Sequence, residues 1–295
     1  MITAPVEFAN EDDTLRWELL QRRVQRARAT RGVKWMRSHG IEPILIKGVA
    51  AGLWYPADKV RSSTDVDLAF SASDFERAYR LISHSGADGL PIDLHRELRH
   101  LDSVSWADLF ENSIEVSFDE GSVRVLRPED HLRVLCVHWL TDGGAHKERL
   151  WDIYYAIENR PDSFDWARFL DQVSPRRRRW ITCTVGITEK YLGLDLTNTP
   201  LAGISAELPN WLIRTVEQEW AAESKLLPLE VSLFNRPELL RQLKRRFRPD
   251  PIWSTIQAEG SFDARTRVFY QVAGFARRAG PSIRRMTRTI RERLK

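Results

Sequence analysis

The sequence of 295 residues predicts an α+β fold, in which a β-containing unit with a long N-terminal helix precedes a C-terminal helical domain. Short apolar runs typical of strands are confined to residues 41–126. A long amphipathic pattern precedes them, and helical periodicity follows almost without interruption from Pro128. We therefore predict two domains, residues 1–127 and 128–295.

The first predicted element is a long amphipathic helix over residues 10–38, whose acidic start lies at the positive end of the helix dipole. Gly40 follows the last turn, where glycine commonly ends a helix. Residues 41–46 are predicted as a buried strand closed by the pair Lys47-Gly48. A short helix over 49–55 comes next and ends at a proline.

A polar loop leads to the second predicted strand, Asp65 to Phe70. A helix over 75–83 follows, and residues 90–95 are predicted as a short strand. Residues 113–118 and 122–126 flank a short turn and predict a hairpin. The predicted β-structure ends there.

Helical periodicity dominates the rest of the chain, beginning with Pro128 at a first helical position. Proline and glycine punctuate the predicted helices. After the one that begins at Pro128, these cover residues 150–157, 166–170, 175–191, 207–224, 236–246, 263–279 and 281–294.

Bulk composition favours a globular cytoplasmic protein, with 42% hydrophobic and 29% charged residues. The sequence has no apolar run of about 18 residues, so no transmembrane segment is predicted. The N-terminus lacks the basic and apolar regions of an export signal. Cys136 and Cys183 have no partner at metal-binding spacing, so we expect two reduced, buried thiols.

Charge is distributed unevenly, because residues 241–295 contain 15 Lys or Arg and only 4 Asp or Glu. Such a basic tail suits contact with RNA, a membrane surface or another acidic partner. A basic helix face that is only solvated explains the same composition, and both interpretations stay open.

Two carboxylates lie in the second predicted strand, at Asp65 and Asp67. Side chains two residues apart on a strand share a face, so we expect these two to project together. Carboxylate pairs suit hard cations such as Mg²⁺ or Mn²⁺. Asp93 follows in a later strand, and a third carboxylate there makes a two-metal site plausible.

A phosphate-binding turn is predicted at Lys47-Gly48. Glycine at a strand-to-helix turn permits close backbone approach, and Lys47 adds a cation. This combination suits a polyphosphate. By contrast, we interpret His95 and His138 as structural residues, because neither belongs to a metal-binding spacing. For Asp152 we favour a structural bond to the helix of His138, and a contact with the ligand is the alternative.

Six short motifs, in this order along the chain, resemble those of the uncharacterised nucleotidyltransferase family of the DNA polymerase β superfamily. The resemblance covers roughly residues 35–170. The motifs are LIKG, a Tyr-Pro after it, RSSTDVDL, IDLH, RPEDHLRVLCVHW and RLWDIY.

The resemblance implies a small mixed β-sheet nucleotidyltransferase core, polymerase β-like, that uses Mg²⁺ or Mn²⁺ and an NTP. It implies that Asp65, Asp67 and Asp93 are catalytic, metal-binding carboxylates, with Asp93 also the candidate general base. It assigns triphosphate contacts to Lys47, Gly48 and Arg61. The reaction would be of the EC 2.7.7 type, with an unidentified acceptor: a small molecule, a peptide or RNA.

Two other functions remain open. The short segment between Asp67 and Asp93 suits a catalytically degenerate nucleotide-binding or scaffold protein, in which the third acid is displaced. The basic tail suits a nucleotidyltransferase that modifies RNA or tRNA.

Overall fold

The computed structural model describes residues 11–85, 89–98, 104–222, 237 and 249–277. The chain divides into two compact units, Met1–Leu135 with Trp151–Ser174, and Cys136–Leu150 with Pro175–Lys295. These units are not the two domains predicted from the sequence, residues 1–127 and 128–295, and that domain division stays a prediction.

Helices and strands have the following bounds. The helices are α1 Glu11–Ser38, α2 Gly48–Ala51, α3 Ala72–Ser85, α4 Trp106–Glu111, α5 Pro128–Thr141, α6 Leu150–Glu158, α7 Trp166–Asp171, α8 Pro175–Leu192, α9 Asn210–Trp220 and α10 Pro251–Gln257. Residues 268–277 are also helical. The strands are β1 Ile44–Leu45, β2 Val66–Phe70, β3 Ile92–Arg96, β4 Ile114–Phe118 and β5 Gly121–Val125.

One five-stranded mixed sheet organises the first unit, with the strand order β3-β2-β1-β5-β4. The pairs β2–β3 and β1–β5 are parallel, whereas β1–β2 and β4–β5 are antiparallel. Helices and a mixed sheet together agree with the predicted α+β class. The register of β2 and β3 sets Asp67 directly opposite Asp93.

Strand β2 separates its apolar and polar side chains by the alternation of a strand. Val66, Leu68 and Phe70 are buried in one core cluster with Ala29 and Val33 of α1. The residues between them belong to the other face of the sheet, where the side chains of Asp67 and its neighbours on β3 are partly accessible. One core cluster therefore lies between α1 and this face of the sheet, and a second cluster, which includes Ile44, Ile46 and Ala69, covers part of the opposite face beside the polar site.

The long N-terminal helix is confirmed, and Gly40 has the left-handed φ of 69° expected after a helix end. The predicted strand over 41–46 is shorter, because only Ile44 and Leu45 pair as β1. Pro43, which lacks an N–H, precedes that pair. The structure also contains α4, which was not predicted; the side chain of Ser105 caps it by accepting a hydrogen bond from the N–H of Asp108.

In the second unit, α9 lies within the predicted segment 207–224, and α8 begins with the predicted segment 175–191 and extends one residue beyond it. Helix α10 was not predicted; Asp250 caps it and a proline occupies its first turn. The predicted helices over 236–246 and 281–294 lie outside the described residues, apart from residue 237.

Cys136 and Cys183 are free and buried, as expected. No helix in the part of the chain that the structure describes is long and apolar enough to span a membrane.

Candidate functional site

A compact polar cluster lies on the partly accessible face of β2 and β3. The ammonium Nζ of Lys47 is 2.9 Å from Oδ1 of Asp67, and Nε2 of His95 is 2.9 Å from the same oxygen. Nζ of Lys47 and Nε2 of His95 are themselves only 3.2 Å apart. Oδ1 of Asp67 therefore contacts both Lys47 and His95.

Asp93 completes this cluster from β3. Its Oδ2 lies 3.2 Å from Nε2 of His95, and its side chain is 61% exposed, against 14% for Asp67. One ligand atom from each of Asp67, Asp93 and His95 lies within 4.8 Å of the others. The parallel register explains this arrangement, since Asp93 stands opposite Asp67 and His95 is two residues further along the same face.

The charge on Asp67 is stabilised by its neighbours. Burial by itself raises the pKa of this carboxyl, but the hydrogen bond from His95 and the charge of Lys47 outweigh it. The net result is a pKa below the usual value. Asp67 is consequently an anion at neutral pH.

Lys47 reaches this position from a strained backbone. Its φ of 49° and ψ of −144° are unusual for a residue with a side chain. The main-chain N–H of Lys47 donates to Nε2 of buried His131 at 3.1 Å. Accepting this hydrogen bond requires an unprotonated Nε2, and burial lowers the pKa of His131 to about 4. A neutral His131 therefore supports the strained turn.

Gly48 is required by close packing. A Cβ atom added there would lie 2.6 Å from Oγ of Ser63 and 3.5 Å from Oδ2 of Asp67. The absence of a side chain therefore lets the turn after β1 approach both the polar loop and the second oxygen of Asp67.

Arg61 is anchored beside the cluster by Asp152. The guanidinium donates through Nε at 3.1 Å and through Nη2 at 3.0 Å to the two carboxylate oxygens. The hydroxyl of Tyr55 donates to the same carboxylate at 2.7 Å. Burial, followed by the charge of Asp152, raises the pKa of Tyr55, so its hydroxyl stays protonated. This bidentate pair fixes the loop before β2.

In the comparison with known protein families, the model for uncharacterised nucleotidyltransferases fits residues 13–187. The chain belongs to this nucleotidyltransferase family. The matched region contains all five strands of the sheet and the polar cluster. No curated protein and no solved structure is significantly similar to the chain.

The structure brings four of the six predicted site residues into one neighbourhood: Lys47, Gly48, Asp67 and Asp93. Arg61 is close to this group in the chain, but its guanidinium is bound to Asp152. Membership of the family supports a transferase; the individual roles of these residues stay predictions.

Asp65 occupies a different position from the one expected. It is exposed, precedes the first residue of β2, and does not belong to the cluster of Asp67, Asp93 and His95. The alternation of a strand does not constrain it, because pairing with β3 begins at Val66. Asp65 instead lines a cleft against α1.

His95 belongs to the cluster with Asp67 and Asp93, although the sequence interpretation assigns it a structural role. The signal was present in the motif Ile-Asp-Leu-His, where Asp93 and His95 are two residues apart in a strand. Asp152 holds Arg61 and Tyr55, which is a structural contact but not the bond to the helix of His138 that the sequence interpretation favours.

Proposed function

We propose that this protein is a metal-dependent nucleotidyltransferase of the EC 2.7.7 type with a polymerase β-like core. It would transfer an NMP from an NTP to a hydroxyl, phosphate or similar acceptor and release pyrophosphate. The observation that carries this proposal is the cluster of Asp67, Asp93 and His95 beside Lys47, in a chain of the nucleotidyltransferase family.

The donor set fits a divalent cation. Two carboxylate oxygens and one imidazole nitrogen lie within 4.8 Å of one another, and Asp67 is held ionised. Oxygen and imidazole donors suit Mg²⁺, through the carboxylates, and Mn²⁺, through all three groups. When bound, such an ion supplies charge neutralisation for the transferred phosphoryl group and activation of the acceptor.

Lys47 and Gly48 would bind the triphosphate. The Lys47 ammonium is one ion-pair distance from Asp67, so a phosphate that binds Lys47 is held next to the carboxylates. Gly48 keeps the backbone of the same turn open to close approach. Arg61 would add a third contact while Asp152 orients its guanidinium plane.

Asp93 is suited to the general base role, because its carboxylate is 61% exposed and accessible to an incoming acceptor hydroxyl. Its contact with His95 keeps it oriented towards Asp67. We retain Asp65 as a further metal-binding carboxylate that would act once substrate is bound, since its side chain is exposed two residues before Asp67.

The decisive experiment is a pyrophosphate-release assay with each NTP and Mg²⁺ or Mn²⁺, on the wild type, Asp67→Asn and Asp93→Asn. We expect release from the wild type and a loss of at least about 100-fold in each variant, as removal of a charge-stabilising group typically gives. Lys59→Met, which changes an exposed lysine away from the cluster, is the control. Folded wild-type protein that neither binds an NTP nor releases pyrophosphate would contradict catalysis.

A degenerate nucleotide-binding or scaffold protein is the second candidate, favoured by one observation. Lys47 already neutralises Oδ1 of Asp67, so a cation is present without any metal. This function predicts NTP binding of the same affinity with Mg²⁺ and with EDTA. A strong requirement for metal in calorimetric titrations with ATP would reject it.

The third candidate, modification of RNA or tRNA, depends on the basic segment 241–295, much of which lies outside the described residues. It predicts RNA affinity that falls steeply with salt concentration and is lost on deletion of the segment. RNA binding that is independent of salt would reject it.

A further inference from the structure

A cleft of about 590 Å³ lies where β2 and β3 begin, and α1 forms one of its walls. This size is within the range of small-molecule pockets. Its lining consists of Arg28, Arg31, Trp35, Thr64, Asp65, Gly89, Leu90 and Pro91. The cleft is therefore distinct in its residues from the cluster around Lys47 and Asp67.

Helix α1 contributes a recognition face to this cleft. Arg28, Arg31 and Trp35 are spaced three and four residues apart, which places them on one side of a helix. Gly32 lies in the same turn, and a Cβ atom added there would lie 3.7 Å from the side chain of Val66. The helix is thus packed tightly against the start of β2, and this packing positions the two arginines.

The charges of the lining favour an anion. Arg28 is half-buried and Arg31 is exposed, and within the described ranges neither guanidinium has an ion-pair or hydrogen-bond partner. Asp65 is the single acidic side chain in the lining, so the cleft has a net positive charge. Arginines bind planar oxyanions through two parallel hydrogen bonds, and the Trp35 ring offers a surface for stacking.

The position of the cleft relates it to the proposed reaction. Lys47 and Gly48 follow β1 on one side of β2, whereas residues 89–91 precede β3 on the other side. Asp65 lies in the cleft, and only Val66 separates it from Asp67 in the chain. The cleft lies on the α1 side of the sheet, whereas Asp67 and Asp93 project from the other face, so a ligand in the cleft would reach these carboxylates past Asp65 at the start of β2.

We propose that this cleft is the acceptor subsite, and that it takes a small molecule in which a phosphate or carboxylate is attached to a planar ring. Arg28 and Arg31 bind the oxyanion, and Trp35 stacks on the ring. The assignment of the ligand as an acceptor rests on the proposed nucleotidyltransferase function, whereas the anion site itself does not.

Calorimetry without metal tests the site, with phenyl phosphate, inorganic phosphate and benzoate as probes. We expect phenyl phosphate to bind more tightly than inorganic phosphate, and the preference between phenyl phosphate and benzoate to identify the oxyanion. Arg28→Gln and Arg31→Gln should each weaken binding about 10-fold or more, as loss of a charge-assisted hydrogen bond does. Trp35→Leu should remove the advantage of phenyl phosphate over inorganic phosphate.

Arg80→Gln is the matched control, because Arg80 is an exposed arginine on α3 outside the cleft. Thermal unfolding of every variant separates a binding loss from a folding loss. The proposal is overturned if no probe binds the folded wild type saturably, or if the cleft variants bind as the wild type does.

A competition experiment tests the acceptor assignment. Phenyl phosphate or benzoate, whichever binds more tightly, should leave the affinity for ATP with Mn²⁺ unchanged within about twofold. Mutual exclusion would overturn the acceptor role by placing the cleft within the NTP site. Probe binding without any NTP binding would reject the proposed function while leaving the anion site intact.

Discussion

The main-chain N–H of Lys47 donates to Nε2 of His131, at 3.1 Å, and this hydrogen bond connects α5 to the turn that presents the Lys47 ammonium to Asp67. His131 is 2% exposed. The side chain is therefore a buried support whose protonation state affects the position of a site residue.

Acidification should destabilise the fold through His131. Burial lowers its pKa to about 4 in the folded chain, from an ordinary value of 6.5. Between these values the unfolded chain takes up a proton that the folded chain does not bind, so stability is full above about pH 6.5 and falls towards pH 4. The loss is about 3 kcal/mol.

Urea unfolding at pH 7.0 and pH 4.5 measures this loss. In His131→Gln the amide oxygen can accept the Lys47 hydrogen bond without titrating, so the variant should lose less stability than the wild type. His84→Gln, at an exposed histidine of α3, should behave as the wild type. Equal losses in all three proteins would show that His131 does not cause the pH dependence.

Lys47→Met should separate metal binding from nucleotide binding. The ammonium competes with a metal ion for Asp67, so its removal should strengthen Mn²⁺ binding, by about 10-fold or less. The same variant should weaken NTP binding and reduce pyrophosphate release, because it lacks the triphosphate contact. Separate calorimetric titrations measure the affinities for Mn²⁺ and for the NTP, and Lys59→Met is the control variant. Weaker Mn²⁺ binding in Lys47→Met than in the wild type would show that the ammonium does not compete with the metal ion.

Asp65→Asn and Asp67→Asn should differ in their affinity for Mn²⁺ in the absence of nucleotide. Asp67 belongs to the cluster of possible ligands, whereas Asp65 lies in the cleft. We expect Asp67→Asn to weaken Mn²⁺ binding about 10-fold or more, and Asp65→Asn to leave it unchanged. With NTP present, both should reduce pyrophosphate release. Equal Mn²⁺ losses in the absence of NTP would place both aspartates at the ion.

Gly48→Ala should destabilise the turn by about 1–3 kcal/mol, because the new Cβ would lie 2.6 Å from Oγ of Ser63. The double variant with Ser63→Ala should recover part of this loss, since the nearest remaining neighbours of the new Cβ would be Cβ of Ser63, at 3.3 Å, and Oδ2 of Asp67, at 3.5 Å. Urea unfolding of the two single variants and the double variant measures the coupling. Purely additive losses would show that this contact is not the cause.

Asp152→Asn should cost about 3 kcal/mol of folding stability, since it breaks a largely buried pair and leaves Arg61 without its anion. Arg61→Lys should be less stable than the wild type, because an ammonium cannot form the two parallel hydrogen bonds to Asp152. Chemical unfolding measures both variants. Stabilities within about 0.5 kcal/mol of the wild type would exclude a supporting role for the pair.

Local pattern by itself determined much of the α+β class. Helix α1, the β4–β5 hairpin and helices α5 to α9 follow from periodicity, capping and turn residues, all of which act between neighbours in the chain. The family motifs likewise predicted six site residues from short segments: Lys47, Gly48, Arg61, Asp65, Asp67 and Asp93. These features need no knowledge of which strands meet.

Only the tertiary structure decided which side chains lie together. The parallel register of β2 and β3 places Asp93 beside Asp67 and brings His95 into the cluster. Pairing of the two strands begins at Val66, so Asp65 lies outside the paired residues. Buried His131 reaches Lys47 across 84 positions of sequence, a distance that no local pattern encodes. The physical reason is that strand pairing and burial depend on contacts between distant segments, whereas sequence periodicity reports only the local backbone.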